Sequence, residues 1–333
     1  MTILVCLLSL GILSAKAQQS FIALHHDGSV TIFAGSKVRQ ALDASVDGDT
    51  LYLSSGIFAS DFVIEKKITL IGNGVKTVIG GNVSIAPTDT TAFTCRVLQN
   101  IYINGILTID KPANGVGISQ CRLNHILFNA TIDDSYIERC VFDWTNNTYI
   151  NNQDAVGTFW LSPNIKGLKV ISSRIANINS SCDDASACHF INCDILYIWN
   201  ARNYIGYSEC LATYENCIIY KWDYDNGFHN RLTTYINCLC GSNAFENSCN
   251  SGCWVNENLT YGVDEKDSRD FSLYFSDDTK LENYIGTDGT VVGCTGSKIP
   301  FTLNPATPQV LEHALEVNES GTELKVTLKV GAE

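Results

Sequence analysis

The sequence predicts an all-β solenoid, a parallel β-helix, and three observations predict it. A short phrase recurs: Gln-Cys-Arg-Leu at 120–123, Arg-Cys-Val-Phe at 139–142, Asn-Cys-Asp-Ile at 192–195, Asn-Cys-Ile-Ile at 216–219 and Asn-Cys-Leu-Cys at 237–240. Ser172-Ser173-Arg174-Ile175 fits the same frame with serine in place of cysteine. The spacing is nearly constant: 19 residues from 121 to 140, 20 from 173 to 193, 24 from 193 to 217 and 21 from 217 to 238. The step of 33 from 140 to 173 marks one coil with a longer loop. A period near twenty is the signature of stacked repeats. Finally, 14 Tyr, 14 Phe and a single Met suit strands better than helical bundles. Side chains alternate along a strand, so each ladder cysteine and the residue two later should face inward. The residue between them (Arg122, Arg174, Asp194) is expected to face water.

The elements follow in order. Residues 3–13 are an apolar run closed by Ala15-Lys16-Ala17, which reads as a secretory leader over residues 1–17, without the usual basic start. It is too short to span a membrane, and no later stretch is long and apolar enough. Residues 18–304 form the β-helix with its N-terminal cap. Within it, 21–33 alternates as an opening strand pair, and Ser36 is expected to N-cap a short helix. Val38, Ala41, Leu42 and Ser45 share one face of that helix and would cover the open edge of the first coil. Asp47-Gly48-Asp49 is a turn, and 51–53, 62–64, 68–71 and 77–79 are strands separated by glycine-rich turns. After Cys240 the ladder fades, and 241–278 reads as polar loop. Pro305 and Pro308 mark a boundary, beyond which 305–333 holds a terminal hairpin with strands at 310–317 and 324–330.

Two stretches carry a resemblance. Gln40-Ala41-Leu42-Asp43-Ala44, Asp47-Gly48-Asp49-Thr50-Leu51-Tyr52-Leu53, Gly56-Ile57-Phe58 and Ile68-Thr69-Leu70-Ile71-Gly72-Asn73-Gly74 resemble the N-terminal coil of the pectin lyase-like right-handed β-helix superfamily. Pectin methylesterases, many polysaccharide lyases and numerous bacterial surface proteins share that opening. The resemblance covers residues 35–80 and implies a right-handed coil, while saying little about chemistry. Gly286-Thr287-Asp288-Gly289-Thr290, Gly293, Ile299-Pro300-Phe301, Asn304-Pro305 and Pro308-Gln309-Val310 are similar to the C-terminal end of exported β-helix proteins from Bacteroidetes-type bacteria. That implies a bacterial, secreted or envelope setting.

Charge and cysteines narrow the partners. The net charge of −13 becomes −14 once the leader removes Lys16. Such a surface repels nucleic acid, anionic membranes and polyanionic sugars at long range, which sets nucleic acid aside. A polyuronate would need a local basic patch or a bridging divalent cation. Of 14 cysteines, Cys6 leaves with the leader, and the remaining odd number cannot all pair. Neighbouring coils hold ladder side chains roughly 4.8 Å apart and parallel. A disulfide wants Cβ atoms about 3.8 Å apart and leaning together, so the column reads as buried thiols. Local bridges are expected instead in loops, Cys182 with Cys188 and Cys249 with Cys253. A zinc site from those four lacks the usual tight spacing.

Two sets of residues suggest chemistry. Nine positions before Cys193, Cys217 and Cys238 stand Asp184, Ser208 and His229. Asp183, Asp184, Asp225, His229 and Arg231 form a candidate catalytic group for acid/base cleavage of a glycosidic bond. The same three aspartates could instead hold calcium for β-elimination, with Arg231 or Arg202 as base; no other cofactor is implied. Aspartates are equally at home in solvated turns. Of the residue sets of polygalacturonases, Asp183-Asp184 resembles the paired Asp, while Gly227-Phe228-His229 does not match Gly-His-Gly. The second set is Trp144 with Asn146 and Asn147, Trp199 with Arg202 and Asn203, and Trp222 with Asp225 and Asn226. Indoles beside amides and carboxylates suit sugar rings, although indoles also serve to cover a core. The expectation is therefore an exported β-helix protein, glycan-contacting or adhesive, with a polysaccharide as partner. A polysaccharide lyase or glycoside hydrolase, and a structural envelope spacer, are the alternatives.

Overall fold

Each coil turns at one residue in the left-handed conformation, and that residue stands directly before the ladder cysteine or serine. Gln120, Arg139, Ser172, Asn192, Asn216 and Asn237 have φ between 45° and 55°. Asparagine tolerates this region because its short polar side chain bonds locally. The amide of each corner residue donates to a carbonyl of the next coil, as in Asn192 to Glu215 and Asn216 to Ile236, both 2.9 Å. The backbone ladder is thus unbroken through the bend.

The computed structural model describes residues 20–89, 95–143, 158–179, 187–199, 212–223, 234–241, 249–256, 258–263, 271–302, 308–317 and 324–332. Their architecture is the right-handed parallel β-helix that the repeat predicts. Three parallel ladders run along it. The first includes Val116–Ser119, Ser135–Glu138, Leu168–Ile171, Cys188–Ile191, Ala212–Glu215 and Thr234–Ile236, and reaches Cys249–Ser251. The second follows the corner and joins the Arg122, Val141, Arg174, Asp194, Ile218, Leu239 and Trp254 positions in register. The third runs on from the same strands and takes in Phe62–Ile64, Val83–Ile85 and Thr158–Trp160. Residues 68–79, expected as two strands, form one strand from Thr69 to Ile79 that bends past Gly72 and Gly74 through shifts of register.

At the N-terminal end, β1 (Phe21–His26) pairs antiparallel with β2 (Ser29–Ala34) and with β3 (Thr50–Leu53). Helix α1 (Val38–Ala44) buries Val38, Ala41 and Leu42 against the first coil, on the face the periodicity predicts. Ser36 does not cap it. That residue lies in a one-turn 3-10 helix, and Lys37 occupies the cap position without a side-chain bond. Pro308–Val317 and Leu324–Ala332 pair as the terminal hairpin.

Inside, side chains of like kind stack coil on coil. Phe159, Phe190, Tyr214 and Tyr235 form a fully buried aromatic column, with centroids 5.3, 4.9 and 5.2 Å apart in turn. The cysteines of the corner are free thiols, as expected. Their role goes beyond filling space. The amide of Cys121 donates to the Cys140 sulfur, that of Cys140 to the Ser173 hydroxyl, and that of Cys193 to the Cys217 sulfur, at 3.4, 3.1 and 3.4 Å. Each thiol in turn donates to a carbonyl two residues back, as Cys217 does to Glu215 at 3.3 Å. A small side chain that both accepts and donates satisfies a buried corner that alanine would leave unpaired, which is why serine can stand among cysteines.

The ladder does not stop at Cys240. Cys253 continues the column, accepting from the Cys238 amide at 3.4 Å, and Trp254 pairs with Leu239. The loop disulfides meet a different setting. Cys188 and Cys253 are free thiols in strand and corner positions, Cys188 being buried in the core. Cys182 lies outside the described residues, and Cys249 stands in the strand Cys249–Ser251.

Candidate functional site

The residues between the inward positions do not face water. Arg122 and Asp194 are only 4% and 5% exposed, and Arg122 pairs with the fully buried Asp143. The cover on the outer face of the second ladder comes from residues 258–263 and 271–302. Ile218 and Leu239 pack with Val292 and Leu259, and Val141 packs with Cys294 and Phe301. Asp194 accepts from the Cys294 amide at 2.9 Å and lies 3.0 Å from its thiol, while Arg174 stacks on Phe301 at 4.7 Å. Burial and the neighbouring Asp194 charge push the Cys294 thiol well above its usual value.

The corner asparagines hold the 271–302 segment in place. Asn216 exchanges hydrogen bonds with Thr287 and accepts from Gly293 through its backbone carbonyl at 2.8 Å, while Asn192 reaches Asp288 at 3.3 Å. Gly286 and Gly293 are glycine for a steric reason. A Cβ on Gly286 would sit 2.5 Å from Asn216, and one on Gly293, at φ 88°, would sit 2.5 Å from Ile218 and 2.6 Å from Asp194. The Gly-rich motif of the C-terminal region is therefore a docking strap.

With the second ladder covered, the outer face of the first ladder is open over a concavity of about 530 Å³. That volume falls in the range of small-ligand sites, about 300–1,000 Å³. Tyr136, Lys169 and His189 stand in one register column along it, and Glu138 and Glu215 stand in the column two residues on. Asp133, Asp134 and Lys166 form the rim. The Tyr136 ring leans over Gly117, where a Cβ would meet its hydroxyl at 2.5 Å and its ring carbons at 2.6 and 2.9 Å. Arg96 donates to the Tyr136 hydroxyl at 3.3 Å and fixes the ring. Glycine on one coil thus lets an aromatic ring lie against the sheet on the next.

The polar groups around the ring differ in their freedom. Lys169 is exposed, and Glu138 is engaged by Arg139 at 2.9 Å. His189 is half-buried with Nε2 3.1 Å from Glu215, whose other oxygen accepts from Thr287 of the strap. Burial pushes the His189 imidazole below its usual value, against the pull of the Glu215 carboxylate, so it is neutral near pH 7. Neutral imidazole offers both a donor and an acceptor.

None of these residues was singled out from sequence, yet a signal was present. Gly117, Tyr136, Lys169 and His189 each stand four positions before a ladder cysteine or serine. The count of nine used for Asp184 and His229 does not reach this column. Asp183, Asp184, Asp225, His229 and Arg231 all lie outside the described residues, as do Trp144, Arg202, Asn203 and Asn226. Trp199 and Trp222 belong to the strands Asp194–Trp199 and Ile218–Asp223, at the third ladder and away from the Tyr136 column. Among the described residues no three His, Cys, Asp or Glu groups cluster to hold a metal ion, and no helix is long and apolar enough to cross a membrane. Comparison of the chain with protein-family models, with curated proteins and with solved structures returns no match.

Proposed function

We propose that this chain is an exported, glycan-contacting β-helix protein of a bacterial surface, and that sugar lies on the outer face of its first ladder. The observation that carries this reading is the Tyr136 ring, which leans over Gly117 and lines an open concavity. An aromatic ring presents an apolar face to the C–H side of a sugar, and polar groups at its edges meet the hydroxyls. Lys169, His189 and Glu138 supply donors and acceptors beside that ring. Repetition along a solenoid suits an extended polymer, because successive coils offer the same face at a fixed step.

Binding is tested with a panel of neutral and acidic polysaccharides, with and without calcium, scoring retention and new reducing ends together. Retention on one polymer, weakened about tenfold in Tyr136→Ala, is the expected result, since losing a ring contact costs on the order of 1 kcal/mol beyond area. Retention that ignores Tyr136→Ala but falls in Trp222→Ala would move the site to the third ladder. Cleavage abolished by Asp184→Ala or His229→Ala would replace the binder with an enzyme.

A further inference from the structure

The N-terminal edge of the sheet is unusual in what it lacks. Among the described residues, β2 has β1 as its one strand partner, so its other side presents unpaired backbone amides and carbonyls. Natural edges are blunted by charge, proline, a bulge or a covering element. The β2 sequence Ser-Val-Thr-Ile-Phe-Ala carries no charge and no proline, and its register with β1 runs without a bulge. Helix α1, which covers the mouth of the solenoid by burying Val38, Ala41 and Leu42, packs beside β2 without hiding its Val30 and Ile32 side chains. Val30 is 53% and Ile32 61% exposed, and Tyr52, 43% exposed, continues the same outer face across β1 and β3.

We propose that β2 is the contact through which two copies of this chain pair, antiparallel and edge to edge. The pattern is self-complementary. Residues directly opposite in an antiparallel pair share a face, so a two-fold axis at Thr31 sets Val30 of each copy against Ile32 of the other. Four exposed β-branched side chains would then cover one another, and the free edge of each sheet would be satisfied. Such a contact is isologous and closes at two subunits. Charge selects the same direction. Asp27, whose side chain is 93% exposed, precedes the strand, and the exposed Lys37 follows it. Antiparallel pairing brings the Asp27 end of each copy to the Lys37 end of the other, whereas parallel pairing would set like ends together. The contact lies at the far N-terminal end of the stack from the last coil, so one chain's solenoid continues into the next through the shared sheet.

Sedimentation equilibrium of the full chain, and of the chain from residue 18, tests this directly. A monomer–dimer equilibrium is expected, and Ile32→Lys should raise its dissociation constant about tenfold or more by placing charge in the self-paired face. Lys37→Glu should weaken the dimer by a smaller factor, and Asp27→Asn, which keeps a residue suited to its left-handed turn, by less again. Unchanged near-ultraviolet circular dichroism in each variant shows that the solenoid is intact. A dimer of the shorter chain alone supports the pairing and shows residues 1–17 competing for the edge. Monomer in both chains at all concentrations, or a dimer equally tight in Ile32→Lys, overturns the proposal.

Discussion

The two sides of a single corner are built by opposite strategies. On the inner side, Cys121, Cys140, Ser173, Cys193, Cys217, Cys238 and Cys253 are neighbours because the repeat stacks them, and Cys140, Ser173, Cys217 and Cys253 each accept from an amide of the coil before. On the outer side, one residue further along the same strands, Asp194 and Ile218 are buried, and Arg174 is partly covered, by a strap that arrives from residues 284–302. The inner column is a repetition of one local solution. The outer column changes from apolar at Leu239 and Ile218 to charged at Asp194 and Arg174, and the strap changes with it, from Val292 to Cys294 to Phe301. A repeat protein is stabilised by nearest-neighbour terms, so an element that touches several coils at once adds coupling between them.

That contrast can be broken from the outer side first. Asp194→Ala removes the acceptor of the Cys294 amide and leaves Arg174 facing the strap without its carboxylate neighbour. Breaking a buried charged contact costs on the order of 3 kcal/mol, so urea unfolding should show a clear loss together with earlier proteolysis within 284–302. The inner side should respond less and with a chemical signature. Cys217→Ala orphans the Cys193 amide and is expected to cost about 1–2 kcal/mol, whereas Cys217→Ser should cost about half as much, because a hydroxyl already performs the task at Ser173. Equal losses in the two variants would reduce the column to simple packing.

The smallest effect lies where the first ladder meets the strap, at His189. Its folded-state value is held below the ordinary 6.5 by burial, so its contribution to stability is present above that pH and is lost as pH falls through the folded value. An NMR titration of the His189 ring should therefore give a midpoint below 6.5. Glu215→Gln should lower it further, because the carboxylate opposes the shift. A midpoint that rises in Glu215→Gln would mean that the two side chains do not interact as drawn.

Much of this molecule was legible from residues alone, and the reason is locality. The step near twenty, the small side chain at each corner and the apolar residue two positions later are all written within a few residues of one another. Helix α1 was readable for the same reason, through Val38, Ala41 and Leu42 on one face. The last coil was missed because Cys253 follows Cys238 by only 15 residues and Gly252, not asparagine, takes the left-handed corner. The Tyr136 site was missed because its members, Gly117, Tyr136, Lys169 and His189, belong to four coils and share only an offset from the ladder.

What the sequence determined by itself was the coil, its turning point and its inward columns, since each rests on alternation and repetition along adjacent residues. What only the tertiary structure decided was which outward residues meet water. Arg122, Arg174 and Asp194 have the composition of a solvated face, and nothing beside them in the chain says otherwise. Arg122 meets Asp143 on the next coil, while Phe301 over Arg174 and Cys294 beside Asp194 come from far along the chain, Asp194 and Cys294 being 100 residues apart. Local pattern specifies which way a side chain points, and only the path of a distant segment determines what waits there.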